Sequence, residues 1–397
     1  MPMTGNELLI LIIPAVLAVL LLALLSLEHL LLLTLFLAPL SLQLSYLTGS
    51  TGFDLSVPTE PVMALLLLIT LFRLTVTRGF PKELLRHPMT WMVGLYLLWT
   101  FITALTSTMP GVSFKTLAYR LWFTAGFYLV AARLAYDERF RKRYILAYAT
   151  GLAVVVIYFI VRVQGAGLLN QQFAHSACYP FYKDHTSFGA SMAFILPPLT
   201  VMLFSRGSLW HRGFLAALLL IFVAGFVLSY SRAAWVSLIA AAALALILWI
   251  RMPVRMLSVS AALFVVVLAL SAGWIWQKMD STTEDSSTDL GQHLRSSSNI
   301  STDQSNLERI NRWKCALRMF AEKPNTGWGP GTYQFKYAPF QKASERTAIS
   351  TDFGDAGNAH SEYLGSLSES GWPGALIFIA ITVGAVITGI KAWYRGK

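Results

Sequence analysis

The feature that most constrains the fold of this sequence is a series of long apolar runs without charge. Phe214 to Leu228 and Ala233 to Ile250 contain no Asp, Glu, Lys or Arg. Because about 20 apolar residues cross a bilayer, such runs predict membrane-spanning helices. The chain is 55% hydrophobic and only 13% charged, whereas a soluble domain has about 25% charged residues. We therefore expect an all-α, polytopic membrane helix bundle.

The apolar runs predict about eleven to twelve spans. They lie near residues 8–27, 30–48, 61–77, 90–108, 114–134, 144–163, 186–205, 212–230, 232–250, 254–276 and 373–390. The first run is followed at once by the second, with no small-residue cleavage site between them. A cleavable signal peptide is therefore not expected.

The basic residues predict which side of the membrane each connector occupies. Five basic segments fall on one side if the spans alternate: Arg78, Lys82 and Arg86; Arg139, Arg141, Lys142 and Arg143; Arg206 and Arg212; Arg251 and Arg255; and Lys391, Arg395 and Lys397. By the positive-inside rule this side is the cytoplasm. The basic residues that give the net charge of +11 lie largely in these connectors. A nucleic-acid-binding protein would instead need basic residues interleaved with aromatic residues on one folded face. We therefore expect no nucleic-acid partner.

One outer connector is long enough to form a separate lobe. It runs from Gln277 to Gly371 and contains 12 of the 20 acidic residues of the chain. We predict three regions: a helix bundle over 1–276, a partly helical outer lobe over 277–371, and a last span with a cytoplasmic tail over 372–397. The Ser-, Thr- and Asp-rich stretch 281–305 is expected to be flexible.

Two helices are predicted in the lobe. Ser305-Asn-Leu-Glu308 is a capping-box pattern, and Ile310, Trp313, Leu317 and Phe320 follow at helical spacing. Pro324 and Gly327-Trp-Gly-Pro-Gly331 predict the end of this helix and a turn. A second helix, near 359–369, leads into the last span.

Several polar residues near the outer ends of the spans are candidates for a site. Arg120 lies inside a span with Lys115 above it, and a charge at that depth usually faces a polar cavity. His185 follows Asp184, which is expected to cap a helix, and Arg232 begins another span. Each of these side chains also has a purely structural interpretation, as an interface anchor or an internal ion pair.

The lobe contributes the remaining candidates. Arg309 and Arg312 lie on the first turns of the capped helix, where guanidinium groups and backbone N–H groups can bind an anion together. His360 and Glu362 lie just before the last span, and Glu362 could orient the imidazole or act in its place. A solvated helix face and a structural histidine are the alternative interpretations.

No metal or cofactor is expected. Asp352 and Asp355 are the nearest pair of carboxylates in the sequence and are weak candidates for metal ligands. Cys178 and Cys315 both fall in predicted outer segments, so they form either one disulfide or two free thiols. Neither belongs to a metal-ligand spacing.

Four segments together resemble the O-antigen ligase and O-antigen polymerase superfamily of bacterial inner-membrane glycosyltransferases. They are Ser229-Tyr-Ser-Arg232-Ala-Ala-Trp235; Glu308-Arg309 with Trp313, Ala316 and Phe320; Pro324-Asn-Thr-Gly-Trp-Gly-Pro-Gly331; and Asn358-Ala-His360-Ser-Glu-Tyr-Leu364. The resemblance covers 185–375 well and the remaining chain loosely. Such ligases usually have twelve spans, and a truncated C-terminus or a miscounted N-terminal region would explain a count of eleven.

The resemblance implies transfer of a glycan from undecaprenyl pyrophosphate to a sugar hydroxyl, such as that of the lipid A core, at the periplasmic face. It places Arg232 and Arg120, with Arg309 as a further candidate, at the pyrophosphate. Direct attack by the acceptor would invert the anomeric centre, and His360 suits the role of base. The predicted spans contain no clustered carboxylates, so we expect a reaction without a metal. Arg120, Lys115, His185, Arg309, Arg312 and Glu362 are expected to bind substrate. A polymerase that joins lipid-linked units, a protein O-glycosylation ligase and a lipid-glycan transporter remain open, although transporters usually show repeats that are not evident here.

Overall fold

The fold is that of an all-α polytopic membrane protein. The computed structural model describes residues 17, 19–48, 55–77, 80–168, 170–205, 207–251, scattered positions from 253 to 270, 304–347, 349–351 and 357–395. Seven helices in these ranges are long and apolar enough to cross a membrane: Thr59–Val76, Pro88–Leu105, Glu138–Ala166, His185–Phe204, Leu209–Leu228, Arg232–Trp249 and Glu362–Arg395. They correspond to seven of the predicted spans.

The other predicted spans have different outcomes. The run at 30–48 begins as a shorter apolar helix, Leu27–Leu40. The run at 114–134 is helical throughout but changes to π-helical geometry at Thr124–Val130. Residues 8–16 and most of 254–276 lie outside the described ranges. Residues 281–303 of the stretch predicted to be flexible, 281–305, also lie outside them, whereas Gln304 and Ser305 belong to a helix.

The helices are numbered here in chain order. They are α1 (Leu27–Leu37), α2 (Leu44–Thr48), α3 (Thr59–Phe72), α4 (Lys82–Arg86), α5 (Pro88–Leu105), α6 (Pro110–Phe123), α7 (Ala131–Leu134), α8 (Glu138–Ala166), α9 (Gln171–Ala174), α10 (His185–Phe204), α11 (Leu209–Leu228), α12 (Arg232–Trp249), α13 (Gln304–Glu322), α14 (Tyr333–Lys336) and α15 (Glu362–Arg395). Short 3-10 turns occur at Ala38–Leu40, Ala338–Phe340 and Ala343–Glu345, and Arg73–Thr77 is π-helical. Strands β1 (Leu42–Gln43) and β2 (Ser56–Val57) pair antiparallel, with Leu42 opposite Val57.

The chain divides into two compact units. Unit 1 comprises residues 1–84 and 122–245, and unit 2 comprises 85–121 and 246–397. The three regions predicted from the sequence, with boundaries after 276 and 371, stay a prediction, because the first boundary falls outside the described ranges.

Unit 1 is held together by close helix packing. Phe159, Phe188 and Phe222 from α8, α10 and α11 are fully buried in one cluster. Because lipid is as apolar as a helix surface, association in a membrane depends on small residues that let backbones approach. Gly151 has this role, since a β-carbon there would overlap the carbonyl of Phe36 on α1. A β-carbon at Gly225 in α11 would lie 2.5 Å from the Val156 side chain.

Unit 2 is organised around α15, which packs on α5 and α13. This helix is interrupted at Gly371, where φ is +68°, and Pro373 follows within the helix. Such a break frees backbone carbonyls, which must be paired elsewhere. Three backbone carbonyls next to the break accept hydrogen bonds from outside the helix. Ser368 O accepts from Trp328 N (3.0 Å), and Glu369 O accepts from Gly329 N (2.9 Å). Ser370 O accepts from Trp99 Nε1 (2.8 Å).

The glycine-rich turn after α13 is therefore built into the break in α15. It lies where the sequence predicts a turn. Gly327, Gly329 and Gly331 all have positive φ. A β-carbon at Gly327 would overlap the backbone of Glu369 and Ser370, so this approach requires glycine.

The first turn of α13 differs from the predicted capping box. The helix begins at Gln304, one residue before Ser305, and Glu308 pairs with other partners described below. Cys315, Ala316 and Met319 form the buried face against Tyr333 and Tyr337, whereas Trp313, Leu317 and Phe320 of the predicted stripe are only half-buried.

The two cysteines are both free thiols. Cys178 lies in the buried cluster of unit 1 and Cys315 in that of unit 2. Burial raises the pKa of each thiol to about 11. Both are therefore almost fully protonated at neutral pH and poor nucleophiles.

Candidate functional site

A cavity of about 410 Å³ lies within unit 2 and brings together several of the predicted site residues. It is lined by Tyr96 of α5, Arg120 of α6, the 331–334 turn, the 358–361 segment and the first turns of α15. Arg120, His360 and Glu362, separated by up to 242 positions in the sequence, all line it. Their shared cavity follows from the packing of α15 against α5 and α13.

One face of α15 forms a wall of the cavity. This wall consists of Glu362, Gly365, Ser366 and Glu369. Their spacing of three, one and three residues is that of a single helix face. Gly365 leaves this wall open, because only Ala359 Cβ approaches the position that a β-carbon would occupy. The two carboxylates therefore face the same space.

His360 stands at the start of this helix in an uncommon backbone conformation. Its φ is +47°, its side chain is exposed, and its N–H donates to Asn358 Oδ1 at 3.1 Å. Ser361 follows and accepts from Leu364 N through its Oγ (3.3 Å), which caps the helix. A left-handed non-glycine residue costs about 1–3 kcal/mol and often marks a functional site.

Arg120 has its guanidinium held in a defined orientation. Its Nη1 donates to Thr100 Oγ1 at 2.8 Å, and the group lies over the ring of Tyr96, 4.8 Å from the centroid. Arg120 is half-buried. A cation fixed by stacking and by one hydrogen bond keeps its other N–H donors available in the cavity wall.

Glu369 was missed by the sequence analysis and is central to the cavity. Its two carboxylate oxygens accept from the backbone N–H of Gly331 (2.9 Å) and of Tyr333 (3.0 Å). It thereby fastens the glycine-rich turn to α15 below His360. The signal in the sequence was its position seven residues after Glu362, which is two helical turns.

Arg312 differs from the expectation of an exposed anion site. It is buried, its Nε donates to Glu308 Oε1 at 2.7 Å, and its Nη1 donates to Asn358 O at 3.2 Å. The guanidinium also lies over the ring of Tyr337 at 5.1 Å. Arg312 thus supports the segment that carries His360.

Glu308 completes a buried polar network with Arg312. Burial alone would raise the pKa of the Glu308 carboxyl, but hydrogen bonds from Ser350, Arg312 and Thr347 outweigh it and hold the pKa below its ordinary value. Thr347 Oγ1 donates at 2.9 Å, and Ser350 Oγ also donates. Glu308 is therefore ionised at neutral pH.

Arg309 and Lys115, two other predicted residues, do not line the cavity. Arg309 is half-buried. Lys115 Nζ lies over the ring of Tyr119, 5.6 Å from its centroid. Their predicted contact with substrate stays a prediction.

Unit 1 holds its own polar cluster, which contains the other two predicted residues. His185 begins α10 and stacks on His175, with centroids 3.9 Å apart and planes at 11°. Asp184 caps α10 as predicted, because its Oδ1 accepts from Ser187 N at 2.8 Å. Arg232 begins α12, directly after Ser231, which lies close to Gly189 of α10.

The Ser229-Tyr-Ser-Arg232 motif forms the turn between α11 and α12. Tyr230 has φ of +50°, and Ser231 is buried. A β-carbon at Gly189 of α10 would lie 2.6 Å from Ser231 Cβ. The motif is thus packed tightly beside the His185 end of α10.

Arg162 is a further residue that the sequence analysis missed. It lies in α8, and its Nη1 donates to the carbonyls of Tyr179 (2.7 Å) and Ala177 (3.1 Å). Arg162 therefore fixes the connector that carries His175. A cation near the end of a long apolar helix was its signal in the sequence.

Among the described residues no group of three or more His, Cys, Asp or Glu side chains is arranged to hold a metal ion. Asp352 and Asp355, considered above as weak ligands, lie outside the described ranges.

Comparison with known proteins finds a family similarity for part of the chain. Residues 216–379 match the Wzy_C family model, which is described as O-Antigen ligase. Neither the curated proteins nor the solved structures give a significant match. The matched residues include α12, α13, the glycine-rich turn and the cavity wall on α15. The match agrees with the resemblance seen in the sequence motifs, and residues 216–379, less than half of the 397-residue chain, are similar to O-antigen ligases.

Proposed function

We propose that the protein transfers a glycan from undecaprenyl pyrophosphate to a sugar hydroxyl at the periplasmic face of the inner membrane. The observation that carries this proposal is the cavity in unit 2, where Arg120, His360 and Glu362 meet. A cation, an imidazole and a carboxylate suit a phosphate-bearing donor and a hydroxyl acceptor. The superfamily supports lipid-linked glycans and glycan acceptors as the general classes of substrate.

The reaction is a single displacement at the anomeric carbon of the donor. The acceptor oxygen forms a bond to this carbon while the bond from the carbon to the pyrophosphate oxygen breaks, and the configuration inverts. His360 takes the proton of the acceptor hydroxyl, because an unperturbed imidazole titrates near neutral pH. The other product is undecaprenyl pyrophosphate.

Arg120 stabilises the negative charge that grows on the leaving group. Pyrophosphate is already a good leaving group, so cations oriented in advance are more useful than a protein acid. Stacking on Tyr96 and the hydrogen bond to Thr100 orient the guanidinium without substrate. The predicted contacts of Arg232 and of Arg309 with the donor stay predictions.

The two carboxylates have different tasks. Glu362 is exposed at the cavity wall and orients the His360 imidazole or the acceptor hydroxyl. Glu369 is a positioning residue, since its oxygens are occupied by the backbone of the glycine-rich turn. The turn also accepts a hydrogen bond at Pro330 O from Ser113 Oγ of α6 (3.0 Å), so it links α15, which follows His360, to the helix that carries Arg120.

A transfer assay with purified protein tests the proposal. The protein is incubated with undecaprenyl-pyrophosphate-linked glycan, with and without core lipopolysaccharide. Glycan attached to the core supports a ligase, whereas lengthening of the lipid-linked glycan without the core supports a polymerase, which differs only in its acceptor. Absence of both products, with movement of intact donor across vesicles, would contradict the proposal in favour of a transporter.

The same assay tests independence from metal ions. We expect turnover to persist in EDTA, because the proposed charge stabilisation uses guanidinium groups. Loss of activity that Mg²⁺ or Mn²⁺ restores would contradict this part of the proposal.

A further inference from the structure

A second cavity of about 530 Å³ lies in unit 2, between the start of α5 and the end of α15. None of the residues proposed for glycan transfer lines it. Its lining comes from the first turns of α5 and the last turns of α15. The chemistry of this lining has two distinct parts.

One part of the lining is cationic. Lys391 and Arg395 are four residues apart, hence on one face of α15, and both are exposed. The described lining contains no carboxylate. Opposite them, α5 begins at Pro88, with His87 Nδ1 accepting from Met89 N at 3.2 Å, so the positive end of the α5 dipole adds to the same field.

The other part is apolar and adaptable. Met89 and Met92 of α5 and Ile387 of α15 line it. A β-carbon at Gly384 would lie 3.0 Å from Met89 Sδ and 3.1 Å from Met92 Cε, so glycine keeps this wall open. Methionine side chains adjust to irregular apolar ligands such as acyl chains.

Exposed tryptophans place this end of unit 2 at the level of lipid headgroups. Trp91 is 71% exposed and Trp393 is 45% exposed, on the same turns as Met89 and Lys391. Trp is enriched at the boundary between membrane and water. The cavity therefore has an apolar wall on the membrane side and cations at the headgroup level.

We propose that this cavity binds one anionic phospholipid. Lys391 and Arg395 contact its phosphate, and its acyl chains lie against Met89, Met92 and Ile387. Basic pockets between membrane helices on the cytoplasmic side bind anionic headgroups in this way. A zwitterionic lipid of the same chain length carries a balancing cation and binds more weakly.

Native mass spectrometry of the full-length protein tests this inference. The detergent-purified protein is titrated with phosphatidylglycerol and, in parallel, with phosphatidylcholine of the same acyl chains. We expect one tightly bound phosphatidylglycerol, and about 30-fold weaker binding in the double variant Lys391→Gln/Arg395→Gln, which equals about 2 kcal/mol. Gly384→Leu, which fills the apolar wall, should weaken both lipids.

A matched control removes the same charge elsewhere. Lys82 and Arg139 are exposed and do not line the cavity. Lys82→Gln/Arg139→Gln should bind phosphatidylglycerol like the wild type. Any one of four results would overturn the proposal. Two concern the variants: an equal loss of phosphatidylglycerol binding in this control, or unchanged binding in the Lys391/Arg395 variant. The other two are equal affinity for both lipids and displacement of the lipid by millimolar inorganic phosphate.

Discussion

At the residue scale, Arg120 shows how a side chain inside a span becomes part of a site. Its planar group is fixed by Tyr96 and Thr100, and lysine cannot reproduce this geometry. We predict that Arg120→Lys lowers kcat/KM for the lipid-linked donor by about 10- to 100-fold, the value of one hydrogen bond to a charged group. Steady-state transfer kinetics measure this, with Arg139→Lys as control. Wild-type kinetics in Arg120→Lys would remove Arg120 from donor binding.

Glu308 supports the site through a buried ion pair. Glu308→Gln leaves Arg312 buried without its counter-charge, which typically costs about 3–5 kcal/mol. We predict a correspondingly lower midpoint of thermal unfolding, whereas Glu322→Gln at an exposed position of the same helix should change stability by less than about 0.5 kcal/mol. Equal midpoints for the two variants would show that the pair is not stabilising.

The same pair predicts how stability depends on pH. The folded-state pKa of the Glu308 carboxyl is lowered. Its ionised form therefore stabilises the fold above the ordinary carboxyl pKa, and this stabilisation is lost as the pH falls through the lower folded value. Thermal unfolding from pH 7 to pH 3 should therefore show a smaller acid-induced loss in Glu308→Gln than in the wild type. Parallel curves would contradict this assignment.

The sequence predicted part of the residue-level site. Sidedness alone led us to expect Arg120, His360 and Glu362 on the same side, and they line one cavity. Glu369 was missed because its role depends on where the glycine-rich turn folds back. The sequence predicts an anion site at Arg312, and it leaves the pairing with Glu308 unrecognised because Glu308 fits a capping box, although an i, i+4 pair is also present.

At the scale of elements, the break in α15 and the glycine-rich turn are one structure. Gly327→Ala would place a β-carbon on the backbone of Glu369 and Ser370 at positive φ. Backbone cannot move aside as a side-chain end can, so we predict a loss of stability of at least about 1–3 kcal/mol, together with loss of transfer. Gly111→Ala, where no atom lies within 4 Å, is the control. An equally stable Gly327→Ala would contradict this packing.

The hydrophobic pattern of the sequence predicts some of these elements and misses others. Seven apolar runs gave spans, because length and apolar character suffice for such helices. Two of these helices, Glu138–Ala166 and Glu362–Arg395, extend well beyond the predicted limits. The turn at 327–331 was also predicted, since glycine and proline mark it directly. The π-helical stretch at Thr124–Val130 and the buried polar face of α13 depend on neighbouring helices, so local sequence could not reveal them.

At the scale of the whole molecule, the account depends on which ends of the helices face each aqueous side. Within unit 2 the predicted outer residues Arg120 and His360 share one cavity, and the segments around His87 and Lys391, both predicted to be cytoplasmic, share the other. The whole of α15, Glu362–Arg395, is long enough to cross a bilayer, and its two ends contribute to the two cavities.

Labelling of introduced cysteines tests this orientation. A membrane-impermeant maleimide should label Tyr363→Cys in intact spheroplasts, and Ala392→Cys only after permeabilisation. The native thiols give little background, because burial raises the pKa of both to about 11. Labelling of both positions from the same side would contradict the predicted topology.

The most direct test of the central claim is the rate of glycan transfer by His360→Ala. If His360 is the base in the cavity, transfer should fall by at least about 100-fold while expression and thermal unfolding stay unchanged. His211→Ala, which removes an imidazole that does not line the cavity, should transfer glycan at the wild-type rate. A near-normal rate in His360→Ala would contradict the proposed mechanism.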